Sequence, residues 1–472
     1  MTIPDARPRP RWRRIMAAIV AACCVAYLFL FVQLHARAGQ AFPSPSSSSS
    51  STTASLSNNL HLTEKECRAA FPGLMDPIDK QVRRGPFPLH PASDLGPLQA
   101  RVRNGRLRIL SAEKHSMLPP ELLDARVATL HQIERALLTA PSSPGGANAL
   151  DTVFSVNVQD QPYGSAWTYS LPAYAAPTAG NAPIGRAFLM PHFSFWAWRP
   201  RMVGSFARAA AAIDAIEARL PFARKQAQAV WRGTARFASA HHPALRTDLL
   251  KATRGQPWAD VQELAWLPEV VDSDKDNATR AVNALAMQDA SNGLMIEDFC
   301  RYKYVVHTEG ITYSGRFQFH QLCGSVVLTA PLAWMQHTTH LVRPLYASDV
   351  LGGGGGDAND DRRGATTTPD EEKAWPHAPP DAANIVFVAP DWSNLGAMVQ
   401  WLEDHPAVAE GIARRQRSLF ASGPHGRGYL SPAAEVCYWR ALLAGWRQVV
   451  QYNDTEVGEG VPWELFSLEP RW

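Results

Sequence analysis

Tyr302 to Leu328 reads YKYVVHTEGITYSGRFQFHQLCGSVVL, and the order of residue types predicts a strand, a glycine-broken loop, a helix and a second strand. The apolar run through Val305 and Val306 stops at Glu309-Gly310. Ser314-Gly315-Arg316 then opens a segment, Phe317 to Cys323, whose composition suits a short helix. A helix start exposes backbone N–H groups that attract anions. Arg316 adds a guanidinium able to grip two phosphate oxygens at once. The stretch is a candidate phosphate-holding βα turn, although an ordinary turn with a surface arginine has the same residue types.

Outward from this stretch, strands and helices alternate. Strands are predicted at Leu107–Leu110, Val153–Val156, Ala229–Trp231, Tyr304–Val306, Ser325–Leu328 and Ile385–Val388, and helices at Met202–Arg219, Leu395–Leu402, Ala407–Phe420 and Ala433–Val449. The alternation indicates an α/β fold with parallel sheets. A body of roughly 410 residues exceeds what one core supports, so two domains are expected, with a hinge near Leu220–Gln226. Residues 61–222 are assigned to a stem-proximal region and N-terminal domain, 223–450 to a C-terminal domain and 451–472 to a C-terminal tail. Residues 351–381 run through five glycines, DANDDRRG, TTTPDEE and PHAPPD, with almost nothing to bury, and are expected to form a disordered insertion.

Ile15 to Leu34 is twenty residues without an acidic or basic side chain, enough to span a bilayer as a helix. Arg7, Arg9, Arg11, Arg13 and Arg14 precede it, which holds residues 1–14 in the cytosol and places the C-terminal bulk in the lumen. A cleaved signal peptide usually has a shorter apolar region, roughly 7–15 residues, so an uncleaved transmembrane anchor at 15–34 is expected. Residues 35–60, with PSPSSSSSSTTAS from Pro43 to Ser55, are expected to be a flexible stalk. Asn277-Ala278-Thr279 and Asn453-Asp454-Thr455 are glycosylation sequons that agree with a luminal body.

Residues 1–37 hold six Arg and one Asp, +5 in all, which leaves −2 for the rest of a chain whose net charge is +3. The basic balance therefore belongs to the topology signal, and no nucleic-acid partner is expected. Of six cysteines, Cys23 and Cys24 fall in the predicted anchor. Cys67, Cys300, Cys323 and Cys437 suggest two disulfides in an oxidising compartment, with three possible pairings. None of the four has zinc-ligand spacing.

YKY followed by an acidic-glycine pair, SGRF, a helix and GSVVL resembles the pattern of glycosyltransferase family 90. That family includes fungal capsule-associated xylosyltransferases and animal protein O-glucosyltransferases. Trp231-Arg232-Gly233-Thr234, the NVQDQP run from Asn157 to Pro162, and Cys437-Tyr438-Trp439 match further motifs in the family's order, so the similarity extends from Asp151 to Trp446. The resemblance implies a GT-B-like fold, two Rossmann-like domains facing across a cleft, the first on the acceptor side and the second binding a UDP-sugar. It implies inverting transfer of xylose, or of glucose, to a hydroxyl of a glycan or glycoprotein acceptor. It also implies a Cys300–Cys323 disulfide, and with it Cys67–Cys437. Anchor, stalk and luminal body share the plan of a Golgi or ER single-pass type II enzyme.

Displacing UDP demands a base for the acceptor hydroxyl, and positive charge or hydrogen-bond donors for the departing diphosphate. Asp160 follows the apolar strand at Val153 and is expected at its carboxyl end, where α/β folds place ligands. The matching N-x-x-D-x-P segment implies that Asp160 is the base. Arg232 ends another strand, just before Gly233, and with Arg316 would make a two-arginine diphosphate clamp; no divalent metal and no other cofactor is then required. Ser314 and Thr234 are expected to donate to phosphate oxygens. Gly233, Gly315, Glu309, Tyr313, Phe317 and Arg246 complete the expected donor-binding set, with core packing as the competing role for Phe317 and a solvated helix position for Arg246.

The chain departs from the family in two places. HTEGITYSGR, His307 to Arg316, stands where D-x-D-G-x-x-W-S-G-R is common. Pro191-His192-Phe193-Ser194-Phe195-Trp196 stands where fungal members often show P-D-F-G-F-W, so His192 replaces an acid. Both departures bear on the choice of sugar or acceptor. Two rival readings remain. Asp272-Ser273-Asp274 is a formal DxD, the manganese-diphosphate motif of metal-dependent GT-A transferases, though no apolar strand of normal length precedes it. A noncatalytic luminal glycan-binding protein is the other, and it would need no base.

Overall fold

The computed structural model describes residues 56–90, 98–113, 118–141, 150–174, 184–267, 289–352, 369–423 and 426–468. Outside these lie the predicted tail and anchor, the stalk up to residue 55, Asp272, Asp274 and Asn277, and residues 353–368 of the predicted insertion. Among the described residues no helix is long and apolar enough to cross a membrane.

In chain order the principal elements are helices α1 (Glu64–Ala70) and α2 (Asp76–Val82), strands β1 (Leu98–Arg103) and β2 (Arg106–Ser111), helix α3 (Pro120–Leu138), strands β3 (Thr152–Val156), β4 (Trp167–Thr168) and β5 (Phe188–Leu189), helix α4 (Phe206–Glu217), strand β6 (Gln226–Gly233), helix α5 (Leu245–Ala252), strands β7 (Ala259–Glu263) and β8 (Tyr302–His307), helix α6 (Phe317–Leu322), strands β9 (Val326–Thr329) and β10 (Pro344–Tyr346), helix α7 (Pro369–Ala374), strand β11 (Ile385–Phe387), helices α8 (Leu395–Asp404), α9 (Pro406–Phe420) and α10 (Pro432–Val449), and strand β12 (Val461–Pro462). They build two six-stranded sheets within one compact unit.

Sheet II, in the order β7-β6-β8-β9-β11-β10, is parallel throughout. Its strands are apolar on both faces because both are covered. Val305 and Val327 join the larger core cluster, beside Ile296, Phe299 and Phe319, whereas Tyr304, Val306, Val326 and Leu328 pack under α8 and α9. Sheet I, in the order β12-β2-β1-β3-β4-β5, corrects the expectation of parallel sheets: β12, β2, β1 and β3 pair antiparallel, and only β3-β4-β5 run parallel. The cause is local. Asn104 and Gly105 between β1 and β2 both have positive φ, 53° and 69°, the Asn-Gly turn that closes a two-residue hairpin. Such a hairpin joins only antiparallel strands.

Helix α10 completes sheet I from the far end of the sequence. Trp446 Nε1 donates to Val153 O at 2.8 Å, and Trp167, stacked on Phe154 with centroids 4.1 Å apart, meets Trp439 and Trp446. The Cys67–Cys437 disulfide fastens α1 to α10, and Cys300–Cys323 ties the turn before β8 to the end of α6. Glu217 approaches Cys300 and Cys323 in a three-residue cluster, but sulfurs bonded to each other are not thiolate ligands.

Three segments expected to be loose are packed. Residues 369–381, in the predicted disordered insertion, contain α7, where Glu371 is buried, and Trp375, whose Nε1 donates to Leu332 O at 2.7 Å. A single buried indole supplies the apolar area that the surrounding proline and charge lack. At the end of the predicted stalk, Ser57 is buried and accepts from Ala433 N, and Leu60 O accepts from Arg440. In the expected C-terminal tail, β12 joins sheet I, and Trp463 and Phe466 are buried. The expected hinge is pinned, since Lys225 Nζ pairs with Glu217 at 2.7 Å and donates to Ser325 Oγ at 3.0 Å.

Candidate active site

From β6 the chain steps outward to β7, then returns past β6 to place β8 on its other side. The carboxyl ends of β6 and β8 flank this switch point, where parallel α/β sheets bind ligands. The loops that leave β6 at Thr234 and β8 at Thr308 rise from it, joined at their base by Trp231 Nε1 donating to Thr308 Oγ1 at 3.0 Å. Gly233 is required there, because a Cβ would come within 2.3 Å of the Trp231 ring.

Two enclosed guanidiniums occupy the switch point, and they are not the expected pair. Arg316 donates through Nη1 to Arg232 O. Arg246, on α5 and only 7% exposed, donates through Nε to Glu309 O at 2.9 Å and through Nη1 to Thr234 O at 2.8 Å. Both sets of acceptors are backbone carbonyls, and among the described residues no carboxylate pairs with either arginine. Burial lowers the Arg246 pKa to about 9, helped by the like charge of Arg316, and burial lowers that of Arg316 to about 10. Two neighbouring cations without a counter-ion are stabilised by an anion placed between them. The Arg232 guanidinium, by contrast, is committed elsewhere: Nη2 grips both Asp260 oxygens at 2.8 and 3.0 Å, Nη1 reaches Asp260 O, and Nε reaches Asn292 O. The structure therefore does not bring the expected Arg232–Arg316 pair together as two unpaired cations: Arg232 is held by Asp260 between β6 and β7, and Arg246 stands beside Arg316 instead.

The other wall comes from sheet I. Asn157 ends β3 and folds the following turn, accepting from Gln159 N at 2.9 Å and donating to Gln161 O at 2.7 Å, which presents Asp160 between them. The Asp160 side chain is open to solvent on one side, yet enough protein surrounds it for desolvation to push its pKa above the usual aspartate range. Thr312, in the loop after β8, donates from Oγ1 to Asp160 O at 3.1 Å. The candidate base is thereby fastened to the loop that carries Arg316. Tyr313 and Tyr169, both buried, lie close enough for the Asp160 charge to help raise their pKa values, although burial is the main cause in each.

His192 meets this wall from the Phe193–Phe195 turn, with its ring 5.3 Å from Tyr313 and 5.1 Å from Tyr169. It lies against Gly315, where a Cβ would come within 2.5 Å of His192 Cε1. Glycine at 315 thus admits the imidazole. Among the remaining expected donor residues, Ser314 is buried beside Gly315, and Thr234 Oγ1 accepts from Trp266 Nε1 at 2.9 Å. Phe317 packs in the core against His307, centroids 4.5 Å apart, the packing role that competed with donor binding. The Glu309 carboxylate accepts from Ala333 N and Trp334 N at 3.1 and 3.0 Å, and burial raises its pKa to about 8. It braces the donor loop from behind.

Sequence reasoning missed Thr312, Tyr169 and Gln318. A hydroxyl that spans two sheets leaves no local pattern. The Asx turn at Asn157 has one, since Asn followed by a small polar excursion is a common device for ending a strand.

Residues 124–347, which contain every residue of both walls, match the family described as glycosyl transferase family 90. Protein O-glucosyltransferase 1 of Homo sapiens is 22% identical over 310 residues, 65% of this chain and 64% of that protein. The Bos taurus protein of the same name has the same identity and coverage. The O-glucosyltransferase rumi homolog of Aedes aegypti is 23% identical over 188 residues, 39% of this chain and 37% of that protein. The chain thus spans just under two thirds of the length of the mammalian relatives.

Proposed function

Since the chain belongs to glycosyl transferase family 90, we propose that it transfers a sugar, xylose or glucose, from a UDP-sugar to a hydroxyl of a glycan or glycoprotein. One observation carries this: Thr312, in the loop that also bears Arg316, donates to Asp160 O, which fastens a carboxylate of raised pKa to the loop beside two guanidiniums that have no carboxylate partner among the described residues. Asp160 takes the proton of the acceptor hydroxyl. The oxygen attacks the anomeric carbon from the side opposite the diphosphate, the bond from that carbon to the β-phosphate oxygen breaks, and UDP leaves with its charge held between Arg246 and Arg316. The product has inverted configuration.

Two fixed cations supply the charge that a divalent ion would otherwise bring to the diphosphate, so turnover without added metal is part of the proposal. Helix α6 has only six residues, and the guanidiniums rather than its dipole do the electrostatic work. Sheets I and II, meeting at the cleft, support the GT-B-like reading, with sheet I on the acceptor side. The apolar residues 15–34, the two disulfides and the exposed sequon at Asn453 support a type II enzyme with its body in the lumen of the Golgi or ER.

The test is UDP release by the full chain in detergent from UDP-xylose, UDP-glucose, UDP-galactose and UDP-glucuronate, with and without EDTA. Release from one or two donors that resists EDTA and disappears in Arg316→Ala is expected. Release abolished by EDTA would move the charge from the arginines to a metal. Absence of both UDP release and UDP binding would sink the transferase reading.

A further inference from the structure

We propose that His192 recognises the transferred sugar, donating a hydrogen bond from Nε2 to a hydroxyl of the glycosyl group; the inference rests on the transferase reading above. The partners of the imidazole all gather on its other nitrogen. Ser194 N donates to Nδ1 at 3.2 Å. The Gln318 amide donates to Ser194 Oγ, which leaves the serine hydrogen for Nδ1, 2.8 Å away. Gln318 Nε2 itself stands 3.5 Å from Nδ1. A nitrogen that accepts from such donors carries no proton, so the neutral ring bears its hydrogen on Nε2. Burial, and secondarily His337, lowers the ring's pKa to about 3, which keeps it neutral at any working pH.

Nε2 lacks a partner among the described residues, and it lies against Gly315. His307 Nδ1 and both nitrogens of His320 are enclosed without partners, but His192 Nε2 is not among the enclosed atoms. A Cβ on Gly315 would lie 2.9 Å from it, so the N–H stands at the middle of the Ser314-Gly315-Arg316 turn. Tyr313 touches the imidazole edge-on and also feels the charge of Asp160. His192 therefore lies beside the Ser314-Gly315-Arg316 turn and Tyr313, and in the proposed reaction the sugar ring occupies this place. Phe193 and Trp198, both half-buried and 5.6 Å apart, border the same place with apolar faces. A fixed N–H there favours a sugar that offers an oxygen and penalises a ligand that leaves the donor unpaired. Gln318, on the donor side of the cleft, is a positioning residue that sets the tautomer.

Calorimetric titration of the full chain with UDP and with its preferred UDP-sugar tests this, using wild type, His192→Phe, His192→Asn and Gln318→Met, with thermal midpoints as the control for folding. His192→Phe keeps a ring and removes the N–H; it is expected to weaken the UDP-sugar roughly 10-fold while leaving UDP within about twofold. His192→Asn, which restores a donor, is expected to recover most of that loss. Gln318→Met leaves the ring in place, frees Nδ1 to take the proton, and is expected to weaken the UDP-sugar about threefold with UDP unchanged. Equal weakening of UDP and UDP-sugar, or no weakening in any variant that stays folded, overturns the assignment and leaves the transferase reading intact. A wild type that binds neither ligand overturns both.

Discussion

The sheet II side of the candidate site holds two enclosed guanidiniums whose hydrogen-bond acceptors among the described residues are carbonyl oxygens, while the sheet I side holds one carboxylate of raised pKa near buried tyrosines and a neutral imidazole. The first environment gathers positive charge that, in the proposed reaction, a diphosphate balances. The second keeps a weak base at intermediate proton affinity and supplies hydrogen bonds without net charge. Arg232, one strand-end away, shows what neutralisation does: with Asp260 gripping it, the same side chain becomes a structural pin. Position in a motif does not decide an arginine's role here; the presence or absence of a carboxylate partner does.

The sharpest way to break this contrast is Asp160→Asn. Loss of the base is expected to lower kcat roughly 100- to 10,000-fold, with the Kd for UDP little changed; an equal loss in UDP affinity would mean that the two walls are not independent. In wild type, kcat/KM is expected to rise with pH through the raised Asp160 pKa, because only the ionised carboxylate accepts a proton. The acid limb should therefore lie above the ordinary aspartate value of about 4, and a limb at or below it would contradict the desolvated base. Next in size, Arg316→Ala and Arg246→Ala are each expected to cost about 100-fold in kcat/KM. Arg232→Ala should cost about 3 kcal/mol of stability, measured by denaturant unfolding, because it strands Asp260, while the folded fraction keeps near-normal kcat. If Arg232→Ala instead abolishes UDP binding in folded protein, the assignment of the clamp is wrong. The smallest change is Thr312→Val, which cuts the hydrogen bond to the Asp160 carbonyl and is expected to lower kcat about 3- to 10-fold at unchanged UDP affinity.

Four strands of sheet II, β6, β8, β9 and β11, were legible as short apolar runs, as YKYVVH is before Thr308-Glu309-Gly310, whereas β7, ADVQE, and the three-residue β10 carried no such signal. The position of Asp160 was legible for a similar reason, since it follows such a run at the end of β3. Sheet I was not. Strand β1, LQARVR, carries two arginines, and Arg101 is buried only because Asp454, 353 residues away, pairs with it at 2.8 Å. The Asn104-Gly105 turn was the readable sign of antiparallel pairing, and the overall alternation of strands and helices obscured it. The pairing of Arg232 with Asp260 was not readable for the same kind of reason. Asp260 lies 28 residues beyond Arg232 and becomes its partner only when β7 pairs with β6, and no spacing rule connects residues across a crossover. Trp375 shows the opposite limit, where one indole in a proline-rich and charged stretch was enough to order its neighbourhood.

Cys67 and Cys437 stand 370 residues apart, and this sets an order of events on the ribosome. Synthesis at about 5–20 residues per second puts on the order of half a minute between the appearance of the first sulfur and that of its partner. During that interval sheet II can assemble from contiguous chain, whereas Phe154 and Trp167 have no Trp439 or Trp446 to cover them. The sheet that carries Asp160 is made first and finished last.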